Sequence, residues 1–363
     1  MASLSGSASE GAVKDSAADD RDSGLAEGAS IAQPPTQVDR AVDVTFRTAT
    51  VVAAWASIAV VVAIVWEIFA VALPAMRQYG ADFLVNSTWD ANRGAFGILP
   101  EIFGTLYSSI LGVAIGTFFG LAIAVFLSEG FLAAGLYALL KSLGLAYRPF
   151  WSRLPEQAEG LLKTTIELLA AIPSVVYGLW GIFVVIPALR PPATWLHDRL
   201  GWIPLFGTNL SGPGMLPAAL VLAIMVLPTI SAISRDALVR VPPKLREAAF
   251  GLGATRWEAI LAVFIPTAAT GIFGSIILGF GRALGETMAL AMLAGNAKVM
   301  SWSLFSPGNT LAALLANSFP EAGKLELGAL MYAALVLLGI TLVVNVIGTI
   351  ILQRASAGLA GLR

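Results

Sequence analysis

The stretch "VPPKLREAAFGLGATRWEAILAVFIP", Val241 to Pro266, joins two long apolar runs and is densely punctuated. Pro242 and Pro243 open it, and proline suits a first helical turn. A short helix then fits "KLREAAF". Gly251 and Gly253 end that helix. Thr255, with Glu258 three residues on, has the spacing of a capping box and starts a second helix. Pro266 marks entry into the next apolar run. The pattern predicts a short helix held outside the membrane between two spans, a geometry suited to pressing on a partner.

The apolar runs on either side set the class. Of the 363 residues 57% are hydrophobic and 12% charged, with mean hydropathy +0.80. A soluble domain carries about 25% charged residues. About 20 apolar residues cross a ~30 Å hydrocarbon core, and six runs qualify, near 48–73, 98–128, 161–187, 214–234, 267–295 and 325–352. They are continuous rather than alternating, which excludes a β-barrel. The fold class is all-α integral membrane. Residues 1–45 read as a disordered, mildly acidic cytoplasmic tail rich in Ser, Ala, Gly and Asp, without the pattern of a signal peptide. The membrane domain then covers 46–355, and 356–363 form a short tail.

Lys and Arg orient the spans. With a cytoplasmic N-terminus, fifteen fall inside and six outside, so both termini are expected in the cytoplasm. The apolar insert at 129–160 is too short and interrupted to cross twice. It reads as an interfacial helix or hairpin; if it did span, the downstream topology would invert. The external connectors 74–97, 188–213 and 296–324 carry Trp89, Trp195, Trp202 and Trp302 and read as ordered. Gly112, Gly116 and Gly120 repeat every four residues, a face that lets helices approach closely. The chain has no cysteine, and its one histidine, His197, reads as a surface residue. No GxxxxGK[ST] loop is present, since Gly323-Lys324 is followed by Leu325. HExxH and GxSxG are missing too. Neither ATP hydrolysis nor other catalysis is expected of this chain.

One span breaks the apolar rule. "GRALGETMAL", Gly281 to Leu290, places Arg282 and Glu286 in the fifth run. A charge at mid-bilayer costs about 2.5–3.5 kcal/mol on insertion scales. A spacing of four puts both on one helical face, within reach of each other, and Gly281 and Gly285 leave room beside them. Two readings stand open: an ion pair that fixes helix registration, or an anion site. A guanidinium offers a planar fork of donors to phosphate-type oxygens. The glutamate would hold the arginine and lower the net positive charge, so that an anion passes without sticking. In the third run Ser174 and Tyr177 follow Pro173; they offer hydroxyls to an anion or simply pack.

The loop also carries a resemblance. "EAAFGLGATRWEAILAVFIP" is similar to the EAA loop of ABC-importer permeases: Glu247-Ala248-Ala249, then Gly253, then an apolar-x-apolar-Pro ending at Pro266. Ile265 stands where that family usually has Leu. "GRALGETMALAMLAGN" and "IELLAAIPSVVYGLWG" (Ile166 to Gly181) narrow the resemblance to the permeases of bacterial phosphate importers, over about 46–355. It implies a type I importer (MetI-like) fold with six transmembrane helices and alternating access in the inner membrane. It implies a sister permease, an ATPase dimer holding ATP-Mg, an external phosphate-binding protein and surrounding lipid as partners. Neither a cofactor on this chain nor a nucleic acid is implied. Carried over by position, Glu247, Ala248, Ala249 and Gly253 match the ATPase contact, and Arg282 and Glu286 the pair linked to phosphate passage. The tail and the insert near 130–158 depart from the family pattern. A permease for sulfate, molybdate or phosphonate is the nearest alternative, and a secondary transporter or channel the next.

Overall fold

A computed structural model describes residues 36–144 and 154–360. Six helices are long and apolar enough to cross a membrane: α1 (Gln37–Tyr79), α3 (Leu99–Ser128), α6 (Ser174–Leu200), α7 (Met215–Val239), α9 (Arg256–Leu284) and α12 (Lys324–Ala360). Shorter helices lie between them: α2 (Asp82–Val85), α4 (Phe131–Ser142), α5 (Leu154–Leu169), α8 (Pro243–Gly251), α10 (Met288–Leu293) and α11 (Leu311–Ser318). A two-stranded ribbon pairs β1 (Trp89–Asp90) with β2 (Ala95–Phe96). The chain forms two compact units, 1–62 and 63–363. The described part of the first is the start of α1, exposed throughout.

Several boundaries differ from the sequence reading. The expected tail over 1–45 lies outside the described residues as far as 35, but helix already begins at Gln37. At the other end α12 runs to Ala360, through the expected start of the tail at 356. The third run, 161–187, is not one helix. It is divided at Ala170–Pro173, and the spanning piece starts at Ser174 and continues to Leu200, taking in Trp195. Pro173 is the cause, since a proline disfavours helical geometry in the residue before it and lacks the donor that would continue the ladder. In the insert, α4 has 12 residues. At 1.5 Å per residue that is about 18 Å, too little to cross. It packs against α5; residues 145–153 of the insert lie outside the described residues.

Pro266 does not interrupt α9. A turn of π-helix, Ile260–Phe264, precedes it, and a second, Gly181–Val185, precedes Pro187 in α6. A proline ring clashes with the carbonyl four residues back. Widening the preceding turn moves that carbonyl aside, so both helices continue through their prolines.

The tightest packing joins α3 to α7. A Cβ on Gly112 would meet the Leu222 side chain, one on Gly116 Val226 Cγ2 at 2.6 Å, and one on Gly120 Ile230 Cγ2 at 3.0 Å. The four-residue glycine face is thus the seat of α7. Beside the start of α7 the segment from Gly295 to Thr310 is fixed by backbone bonds. Leu304 N–H donates to Leu205 O (2.9 Å) and Leu216 N–H to Leu304 O (2.7 Å). Leu311 N–H donates to Thr105 Oγ1 (2.9 Å). The Tyr107 hydroxyl donates to Trp302 O (2.9 Å), and the Trp302 ring meets Phe103 edge-on. These connectors are ordered, as the tryptophans led one to expect.

Gly116→Leu should drive a branched side chain into Val226 and the Ala223 carbonyl. Overpacking of this kind costs about 1–3 kcal/mol. The expected outcome is a lower melting temperature in detergent, while Gly135→Leu, with open space around it, leaves melting unchanged.

Candidate functional site

Two regions carry the residues singled out in the sequence. The first is the loop from Val241 to Thr255. Pro243 occupies the first turn of α8, and the helix ends at Gly251. Gly253 reverses the chain at φ +86°, a left-handed conformation that glycine adopts at little cost. Thr255 then caps α9: its hydroxyl oxygen accepts from Glu258 N–H (3.4 Å), and Thr255 N–H donates to Glu258 Oε2 (2.7 Å). Glu247 and Ala248 are exposed while Ala249 turns inward, 7% exposed. Leu245, Phe250, Leu252 and Trp257 also present apolar surface to the outside. A short helix with this much exposed apolar side chain is built to be covered by a partner.

What holds that helix was missed in the sequence. Arg246 Nη1 donates to Glu129 Oε1 at 2.7 Å and its Nη2 to Leu238 O at 2.8 Å, and the guanidinium lies over the Phe264 ring, 4.4 Å from its centroid. One side chain thereby ties α8 to the end of α3, the end of α7 and the π-turn of α9. Glu129 had been assigned to the insert, 117 residues from Arg246, so spacing gave no hint of the pair. Charge-assisted hydrogen bonds of this geometry are the strong kind.

The second region is around Arg282 and Glu286. The sequence reading put both on one continuous helix, a turn apart and free to pair. The structure corrects this. α9 ends at Leu284, residues 285–287 are not helical, and α10 starts at Met288. Glycine at 285 and the β-branched Thr287 make this a weak point in the ladder. No ion pair forms between the two among the described residues. Arg282 is exposed in the last turn of α9 and makes no hydrogen bond or ion pair to the described residues. Glu286 is half-buried, and its Oε1 accepts from Ala289 N–H at 3.3 Å. Its charge serves the first turn of α10, where carboxylates are favoured.

This break faces the other one. α10 packs on the start of α6, where a Cβ on Gly178 would meet the Met292 sulfur and one on Gly181 the Leu293 side chain. Tyr177 is 6% exposed in the same cluster, and the Arg282 charge is near enough to act on its phenol. The Tyr177 hydroxyl donates to Leu169 O (2.8 Å), the last residue of α5. The hydroxyl expected for an anion is therefore committed to backbone at the 170–173 break. Ser174 is half-buried in the first turn of α6, and its hydroxyl makes no hydrogen bond to the described residues. Beside the 285–287 break lies a cavity of about 410 Å³ lined by Gly285, Thr287, Ala312, Leu315, Met331 and Ala334. Irregular backbone at membrane depth survives only inside protein or along a wet cavity.

At the start of α3 Glu101 is 1% exposed, and neither carboxylate oxygen has a hydrogen-bond partner among the described residues. Its charge acts on Lys298, as do those of Glu326 and Asp90. Lys298 Nζ sits 5.4 Å from the centroid of the Trp89 ring. Glu101 lies in the first turn of α3, where the sequence offered no signal beyond a charge at the edge of an apolar run.

Residues 142–357 match the family described as "Binding-protein-dependent transport system inner membrane component". Proteins named "Phosphate transport system permease protein PstC" are similar along most of their length. That of Xylella fastidiosa is 38% identical over 287 residues, 78% of this chain and 82% of the relative. That of Mesorhizobium japonicum is 36% identical over 321 residues, 87% and 91%. Among solved structures, a chain of a bacterial alginate ABC transporter crystallised with an alginate-bound periplasmic protein matches with TM-score 0.55 at 15% identity. That match covers 86% of this chain and 96% of that one, and it bears on the fold alone.

Replacing Arg246 by Ala should cost about 2–3 kcal/mol by removing two charge-assisted bonds. It should also leave Glu129 without its partner. In the assembled transporter the expected outcome is ATP hydrolysis that no longer rises when the loaded external protein is added, with Arg246→Lys intermediate.

Proposed function

Since the chain belongs to the family of binding-protein-dependent transport system inner membrane components, we propose that it is the phosphate permease subunit of an ATP-driven importer. With a sister permease it forms half of the transmembrane path. The observation that carries this reading is the Arg282 guanidinium, which has no partner among the described residues and lies just before a helix break that borders a cavity. The resemblance at "GRALGETMALAMLAGN" and the similarity to the PstC proteins supply the substrate.

The mechanism follows from the geometry. An external phosphate-binding protein docks on the connectors that carry Trp202 and Trp302, both exposed. An ATPase dimer, which holds ATP-Mg, receives α8 through Glu247, Ala248 and the apolar side chains around them. Closure of the ATPase pair moves α8, and the Arg246 clamp passes the motion to α3, α7 and α9. The path then opens to the cytoplasm, where both termini lie. Arg282 binds the anion by its planar fork of donors. Glu286 holds the break in place through α10 and lowers the positive charge beside it, so the anion leaves. Ser174 adds a hydroxyl, and Tyr177 positions the facing break. Phosphate crosses without covalent change, and the chain itself catalyses no reaction.

The test is phosphate uptake by the complete complex in proteoliposomes. Arg282→Gln should lower uptake roughly 100-fold, the loss typical of a charge-stabilising donor. Assembly and the ATPase response to the external protein should persist. Normal uptake by an assembled Arg282→Gln complex would sink the anion-site reading. Glu286→Gln keeps an oxygen for Ala289 N–H, so its loss should be the smaller of the two.

A further inference from the structure

We propose that Asn345 is a second donor on this path, an amide that works beside Arg282; the proposal rests on the phosphate reading above. Asn345 lies on α12, in a span of mean hydropathy 2.7. Between residues 325 and 352 it is the only Asn or Gln. α12 packs along α9 through small residues: a Cβ on Gly348 would meet Ile277, and one on Gly281 would stand 3.4 Å from Asn345 Oδ1 and 3.7 Å from its Nδ2. The amide therefore fills the space where a side chain at 281 would project, next to Arg282 in sequence.

The face of α9 at this level is the one left uncovered. Ser275, Gly279 and Ala283 are buried, whereas Leu278, Arg282 and Gly285 are exposed. Gly281 borders the two, and Asn345 meets α9 at that border. Asn345 is half-buried, and its carboxamide makes no hydrogen bond to the described residues. An unpaired amide away from water costs about 1–3 kcal/mol by mutational measure. A span that retains one at the level of a bare guanidinium places it where an oxyanion provides the partner. A neutral donor also suits passage better than a second cation. It adds hydrogen bonds to the phosphate oxygens without the extra charge that would hold the anion in place.

The experiment uses the complete transporter in proteoliposomes, with radiolabelled inorganic phosphate and the external protein, scored as phosphate moved per ATP hydrolysed. Asn345→Leu should lower that ratio about tenfold, the worth of one hydrogen bond to a charged group. Asn345→Asp should lower it further, because a carboxylate beside Arg282 neutralises the guanidinium and repels the anion. Asn345→Ser, which keeps a donor, should recover part of the ratio. Wild-type ratios in both Leu and Asp variants would overturn the proposal. So would an Asp variant that outperforms Leu, since that order marks a hydrogen bond to a neighbouring helix. Loss of assembly in both Asp and Ser would do the same. Arg282→Gln, run in parallel, separates the two claims. A dead Arg282 variant beside normal Asn345 variants refutes only the role of Asn345, whereas a normal Arg282 variant refutes the anion site itself.

Discussion

Every backbone N–H and C=O inside a bilayer must find a partner within the protein, because hydrocarbon supplies none. That constraint explains both the regular part of this chain and its exceptions. Six long helices bond their own backbones. The ladder fails at 170–173, which is largely exposed, and at 285–287, which borders a cavity. Tyr177 spans one failure by donating to Leu169 O, and Glu286 closes the other by accepting from Ala289 N–H. The two breaks are held face to face by the packing of α10 on α6. Arg282 is left at the edge of this patch without a partner among the described residues.

The same economy links the patch to the loop from Val241 to Thr255. α9 is one helix from Arg256 to Leu284, so its start, capped by Thr255, and Arg282 lie on one continuous rod. Its one irregularity, the π-turn before Pro266, is where Arg246 stacks on Phe264. A single side chain from α8 thus grips the rod, and through Glu129 and Leu238 O it grips α3 and α7 as well. Those two helices are the best-packed pair, fitted through Gly112, Gly116 and Gly120. One side chain of α8 thus contacts three spans together.

Much of this was legible in the residues themselves. Proline, glycine and the Thr255–Glu258 spacing act within a few positions, and α8, the turn at Gly253 and the capping box all stand where those residues placed them. The glycine repeat of α3 announced a close neighbour, though not that the neighbour was α7. Arg282 and Glu286 were visible as charges in an apolar run. Their relation was misread, because a spacing of four means proximity only while the helix lasts. The π-turn that carries the helix through Pro266 had no signal in the sequence beyond the proline itself.

By itself the sequence determined the class, the six spans, the short helix and turn between the fourth and fifth spans and the two charges that do not belong in lipid. These depend on local propensity and on the price of burying polarity, which each residue carries with it. Tertiary structure alone decided that Arg282 has no partner among the described residues while Glu286 accepts from Ala289 N–H, and that Tyr177 serves the backbone. It also decided that Arg246 meets Glu129 and that Asn345 lies against Gly281. Those facts depend on which distant segments are brought within about 3–4 Å, the range over which hydrogen bonds and contacts act, and sequence spacing does not encode that distance.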